Sequence, residues 1–99
     1  MNRRLVLDKQ LRQICTNIYY QPPSNIKLVY PCIIYSLEKD HVDYANNENY
    51  NLKNQFQILL ITKNPEDSIH DLIRKLKFCR FDRRYVVDSL YHDSFTIFI

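Results

Sequence analysis

Residues 50–62 read Tyr-Asn-Leu-Lys-Asn-Gln-Phe-Gln-Ile-Leu-Leu-Ile-Thr, and their alternation decides the fold. On an extended chain Leu52, Phe56, Ile58 and Leu60 share one side, against Lys53, Gln55 and Gln57 on the other. That period of two predicts a half-buried strand. Upstream, residues 27–37 (KLVYPCIIYSL) are apolar on both faces and rich in Val, Ile and Tyr, which predicts a buried strand. Pro31 cannot donate to a ladder, so this strand is expected at a sheet edge or bulged there. The polar connection at 38–50 (EKDHVDYANNENY) makes the pair a long antiparallel hairpin with a long loop.

Helices are expected on either side of this hairpin. Leu7, Leu11, Ile14 and Ile18 recur at helical spacing and predict a helix over 2–18, with Asn2 as its N-cap. Pro22 and Pro23 stop it. After a turn at 64–68, Ile69, Leu72, Ile73 and Leu76 form the stripe of a second helix, with acids in its first turn suited to the helix dipole. Strands are expected at 80–88 and 94–99, joined by a turn at 89–93. The order α-β-β-α-β-β predicts an α+β fold: a mainly antiparallel sheet with two helices packed on one face. Residues 1–99 read as a single domain without repeats or linkers.

Composition narrows the function. The chain has no glycine, which excludes a P-loop, a dinucleotide fingerprint and a nucleophile elbow. Turns are expected to use Asp, Pro and the nine Asn. A chain this short buries roughly 60–65% of its unfolded surface, enough for one modest core. No run approaches the ~18–20 apolar residues of a membrane span, and Asp8 and Lys9 interrupt any signal-peptide core. A soluble protein that does not meet a membrane is the expectation. Cys15, Cys32 and Cys79 match no zinc or redox spacing and read as buried thiols.

Candidate chemistry is sparse. Asp40, His41 and Asp43 in the long loop, and His92 and Asp93 in the last turn, read first as solvated turn residues. His70 is expected to be exposed. Cys79 lies near Arg80 and Arg83, which would lower its pKa if it faced them, but ordinary burial is the simpler reading. No catalytic set, cofactor or metal site is expected. Charge is more informative. Glu38, Asp40, Asp43 and Glu48 are offset only by Lys39 in the loop, while Arg74, Lys75, Lys77, Arg80, Arg83 and Arg84 face only Asp82 in 74–84. The basic segment suits a nucleic-acid footprint or head-to-tail pairing with the acidic loop of a second copy; the plain alternative is two separately solvated charge clusters, half of the bases lying at a helix end where cations are expected anyway. Val42, Tyr44 and Tyr50 inside a polar loop suggest that the loop docks on something.

Tyr30-Pro31-Cys32-Ile33-Ile34-Tyr35, then Tyr44-Ala45-Asn46-Asn47 and Tyr50, Cys79-Arg80-Phe81-Asp82-Arg83 and Leu90-Tyr91-His92-Asp93 resemble small neck and tail-completion proteins of tailed bacteriophages. The nearest group is the tail terminators, or tail-to-head joining proteins, and the resemblance covers roughly residues 14–99. It departs at Asn46-Asn47, where the family pattern has Asp-Asn. The resemblance implies a virion subunit, held in the host cytoplasm before assembly, that forms a hexameric ring capping the tail tube. Its partners would be other copies, connector and tail-tube proteins, and DNA passing through the lumen without specific binding. The acidic loop is then expected near the lumen or against the next ring, and the basic segment between subunits. A head-completion ring protein and a small nucleic-acid-binding module using 74–84 are the alternatives.

Overall fold

The computed structural model describes residues 3–43 and 52–99. Along the chain run α1 (Arg3–Arg12), β1 (Ile18–Tyr20), β2 (Cys32–Asp43), β3 (Leu52–Thr62), α2 (Ser68–Arg74), β4 (Cys79–Val87) and β5 (Leu90–Phe98). The five strands form one sheet in the order β1-β2-β3-β5-β4. Every pairing is antiparallel except that of β1 with β2. This is the α+β class expected, with one short strand added.

Register explains the core. Ile33 pairs with Leu60 and Tyr35 with Ile58; Phe56 in turn pairs with Ile97 and Ile58 with Phe95. Partners directly opposite share a face, so these side chains form one apolar surface. Leu7 and Leu11, one helical turn apart, and Ile73 of α2 close over it, and all three are buried. Both helices therefore cover the same side. The Asp67 carboxylate caps α2 by accepting the Ile69 N–H at 2.9 Å.

Several boundaries differ from the sequence reading. The first helix ends at Arg12, and Ile18, Tyr19 and Tyr20 pair with Ile33, Ile34 and Tyr35 instead. The β-preferring Ile-Tyr-Tyr run satisfies its backbone on the sheet before the prolines arrive. Asn2, the expected N-cap, lies outside the described residues. The strand expected over 27–37 starts at Cys32, directly after a cis Tyr30–Pro31 bond, so Pro31 sits outside the ladder. Nor is it buried on both sides: Val29 precedes it and is exposed, and Ile34 is only half-buried. Its other end continues to Asp43, so part of the expected loop is strand, with register shifts after Leu37 and Lys39. Leu72, placed in the α2 stripe, is 44% exposed.

The turn expected at 89–93 is only Asp88-Ser89, between β4 and β5. Both residues have positive φ, 53° and 62°, as a two-residue hairpin of right-handed twist requires. Gln21 and Phe78 also take positive φ. Without glycine, the described left-handed positions fall to Asp88, an expected turn residue, and to Ser, Gln and Phe rather than to the Asn anticipated.

Candidate interaction surfaces

The acidic loop proves to be partly strand. Glu38 and Asp40 are exposed on β2, and His41 and Asp43 belong to the same strand. Tyr44, Asn46, Asn47, Glu48 and Tyr50 lie outside the described residues. The β2–β3 ladder runs on to Asp43↔Leu52, two residues of β3 past Asn54, whose backbone exchanges the last hydrogen bonds with Ile99. The hairpin thus outruns the sheet that supports it.

The six bases of 74–84 do not form one patch. Arg74 and Lys75 end α2, whereas Lys77 lies in the following turn with its ammonium 5.1 Å from the Phe78 ring centroid. A bulge between Phe81 and Arg83 then sorts the rest. Arg80 opposes Thr96 and Arg83 opposes Ser94, on the face away from the helices; Arg84 opposes Asp93, on the helix side.

Asp93 corrects the reading of His92 and Asp93 as solvated turn residues. Both are in β5, and Asp93 is 2% exposed. Arg84 donates to it twice, Nε to Oδ1 at 2.6 Å and Nη2 to Oδ2 at 3.0 Å. His70 is half-buried rather than exposed, and its Nδ1 donates to Oδ2 at 2.9 Å. Its ring sits edge-on to Phe81 at 4.8 Å and tilted to Phe95 at 5.2 Å. Burial alone would raise the Asp93 pKa, but the bonds from Arg84 and His70 outweigh it and hold the carboxyl below its usual range. The group ties α2 to the β4–β5 hairpin. A second such tie, also not foreseen, joins α1 to β2: the Tyr35 hydroxyl donates to Asp8, which Arg12 also engages. Burial first, then Asp8, pushes Tyr35 up to about 12.

Two of the three cysteines are held above the usual thiol range. Burial pushes Cys32 up to about 11, with Cys15 adding to it. Cys79 rises likewise to about 11, through burial and then the Asp82 charge, so its arginine neighbours do not lower it. Tyr30 and Pro31 lead into β2, and the Pro31 carbonyl accepts the Asn17 amide at 3.1 Å. A cleft of about 550 Å³ opens where residues 21–28 pass over Ile34 and Ser36 of β2. Among the described residues no cluster of three or more His, Cys, Asp or Glu is placed to hold a metal ion. No helix there is long and apolar enough to cross a membrane.

The face away from the helices is lined along β4 and β5 by Arg80, Arg83, Tyr85, His92 and Thr96. Tyr85 stacks on His92 with centroids 5.0 Å apart and planes 17° from parallel, and the Arg83 guanidinium lies 5.1 Å above Tyr85. Asp82 accepts from Thr96 Oγ1 at 2.6 Å and from Arg80 Nε at 3.0 Å. No protein-family model, curated protein or solved structure matches the chain.

Proposed function

We propose that the chain is a non-enzymatic structural subunit of a tailed-bacteriophage virion, assembling into a ring at the neck that ends the tail tube and joins it to the head connector. The observation that carries this reading is the outer edge of β4, beside which no described strand lies. Beyond its bulge the strand runs regularly through Tyr85, Val86 and Val87 at the rim of the sheet, with the two valines 57% and 47% exposed. Edges are ordinarily blunted by charge or bulge. Here those devices lie in the first half of the strand, and Arg84 turns its guanidinium to Asp93.

The opposite rim supports the same reading. Strand β1 covers only the Ile33–Tyr35 part of β2, so the outer edge of β2 past Tyr35 has no described strand beside it. Two different edges on one subunit, β4 past its bulge and β2 past Leu37 (whose N–H donates to Gln21 Oε1 at 3.1 Å), suit a head-to-tail contact, the kind that closes into rings. Exposed Glu38 and Asp40 near one edge and exposed Arg80 and Arg83 near the other supply matching charge. An extended two-stranded ribbon is marginal in water by itself, which favours a protein surface under the β2–β3 tip. The sequence resemblance adds the place in the virion and the six-fold expectation.

Native mass spectrometry and negative-stain microscopy of the full chain test the assembly, with a six-fold ring as the expected result. Val86→Lys puts a charge on the outer edge of β4 and should leave a folded monomer of unchanged far-UV circular dichroism. A wild-type chain that stays monomeric at every concentration, with and without its neck partners, overturns the reading.

A further inference from the structure

We propose that the β4–β5 part of the sheet face away from the helices binds single-stranded nucleic acid without sequence preference. This goes beyond the ring reading and competes with it for Arg80 and Arg83, so the test below separates the two. Two groups of flat side chains stand on this face. At one end Arg83, Tyr85 and His92 form a continuous row, guanidinium on phenol on imidazole. His92 is fixed in that row because its Nδ1 donates to the Leu90 carbonyl at 3.0 Å. At the other end Phe78 has two ammonium groups near its ring, Lys53 at 4.9 Å and Lys77 at 5.1 Å from the centroid. Phe78 is tied to the same strand by its carbonyl, which accepts the Phe98 N–H at 3.2 Å. From Phe98 to His92 along β5 is six residues, about 20 Å at strand rise.

Charge completes the strip. Lys53, Lys77, Arg80 and Arg83 stand along it, and the carboxylate among them, Asp82, is already taken up by Arg80 and Thr96. Four bases over one engaged acid attract a polyanion, and their salt-dependent contacts would be with phosphates. The rings then discriminate between polyanions. A single strand can lay its bases on aromatic rings and guanidinium planes, which is how sheet faces bind such strands without reading sequence. A duplex hides its base faces, and an acidic peptide has none. The platform is also held in place before binding, by the cross-strand Tyr85–His92 pair and the Leu90 carbonyl, so little ordering accompanies association.

The test is fluorescence anisotropy of the full chain with a labelled 20-nucleotide oligothymidine, in 50 to 200 mM salt. Saturable binding that weakens steeply with salt is expected. Tyr85→Leu, which keeps a strand-compatible apolar residue, removes the ring that holds the Arg83 and His92 planes in one row and should weaken binding about tenfold. Arg80→Gln and Lys77→Gln, both at exposed positions, should each reduce the logarithmic salt slope by about 0.7 without changing the melting temperature. These two variants keep the proposal testable if Tyr85→Leu fails to fold. Absence of binding at 50 mM salt overturns the proposal, as does a duplex of equal length binding as tightly. So does a peptide of residues 36–43 competing as well as the oligonucleotide, which would make this face a contact between copies.

Discussion

Replacing Asp93 with Asn keeps the shape of the side chain and removes the charge that Arg84 and His70 converge on. The carboxylate is 2% exposed, so solvent cannot take over its role. Breaking a buried pair by removing one partner costs roughly 3–5 kcal/mol, because the other charge is left uncompensated. The Arg84 side chain is 34% exposed and can turn toward water, which places the expected loss at the lower end, about 3 kcal/mol. For a chain of 99 residues that is a fall in melting temperature of about 12–24 °C. The assay is thermal and urea unfolding at fixed protein concentration, since assembly would otherwise shift the midpoint. The pH dependence has a definite sign. Arg84 and His70 hold the Asp93 pKa down in the folded state, so its contribution is present above the unfolded value of about 3.9 and is lost as pH falls through the folded one. The gap between wild type and Asp93→Asn should be full at pH 7 and shrink below about pH 4. A loss under about 1 kcal/mol, or a gap that does not close in acid, would refute this account of the cluster.

Two other variants or measurements probe local features. Ser89→Gly relieves a residue held at φ 62° and should stabilise the chain by about 0.5–1 kcal/mol in urea unfolding, whereas destabilisation would mean that the serine side chain holds the turn. Cys32, with its thiol pushed up to about 11 and its side chain buried, should resist a thiol-reactive disulfide reagent at pH 8 until the chain is unfolded. Rapid labelling of native Cys32 would contradict that burial.

The sequence showed its one-sided elements best. Residues 53–58 alternate because the helices cover one face of β3, while Leu59 and Ile61 are apolar on the other face, where Ile61 is buried; Ile69, Ile73 and Leu76 mark α2 because it buries a single stripe. The start of β5 was hidden by Asp93, an acid at a position whose neighbours along the same face are Phe95 and Ile97. Its partners are 9 and 23 residues away, so no local pattern announces that the charge is matched. Strand β1 is three residues long, too short to show a period. The Asp8–Tyr35 tie spans 27 residues and is equally silent in any window of the sequence.

The basic run 74–84 was legible as composition but not as geometry, and the bulge in β4 is the reason. Had Phe81 stayed opposite Phe95 with no residue inserted, Arg83 would oppose Asp93 and Arg84 would oppose His92. An arginine would still have reached the buried carboxylate. Tyr85, however, would have moved to the helix side of the sheet, because a shift of one residue exchanges the faces. Arg84 would have taken its place on the open face, with Val86 opposite Leu90 beyond it. With Asp82 inserted, Tyr85 instead meets His92, and Arg83 is left on the open side to lie over the tyrosine ring. The inserted residue is not idle either, since its carboxylate accepts from Thr96 and Arg80 on that face. The bulge therefore keeps one arginine for the core and builds the stacked row from the next residues along. No hydropathy period contains that information, because an inserted residue breaks the period that would have to reveal it.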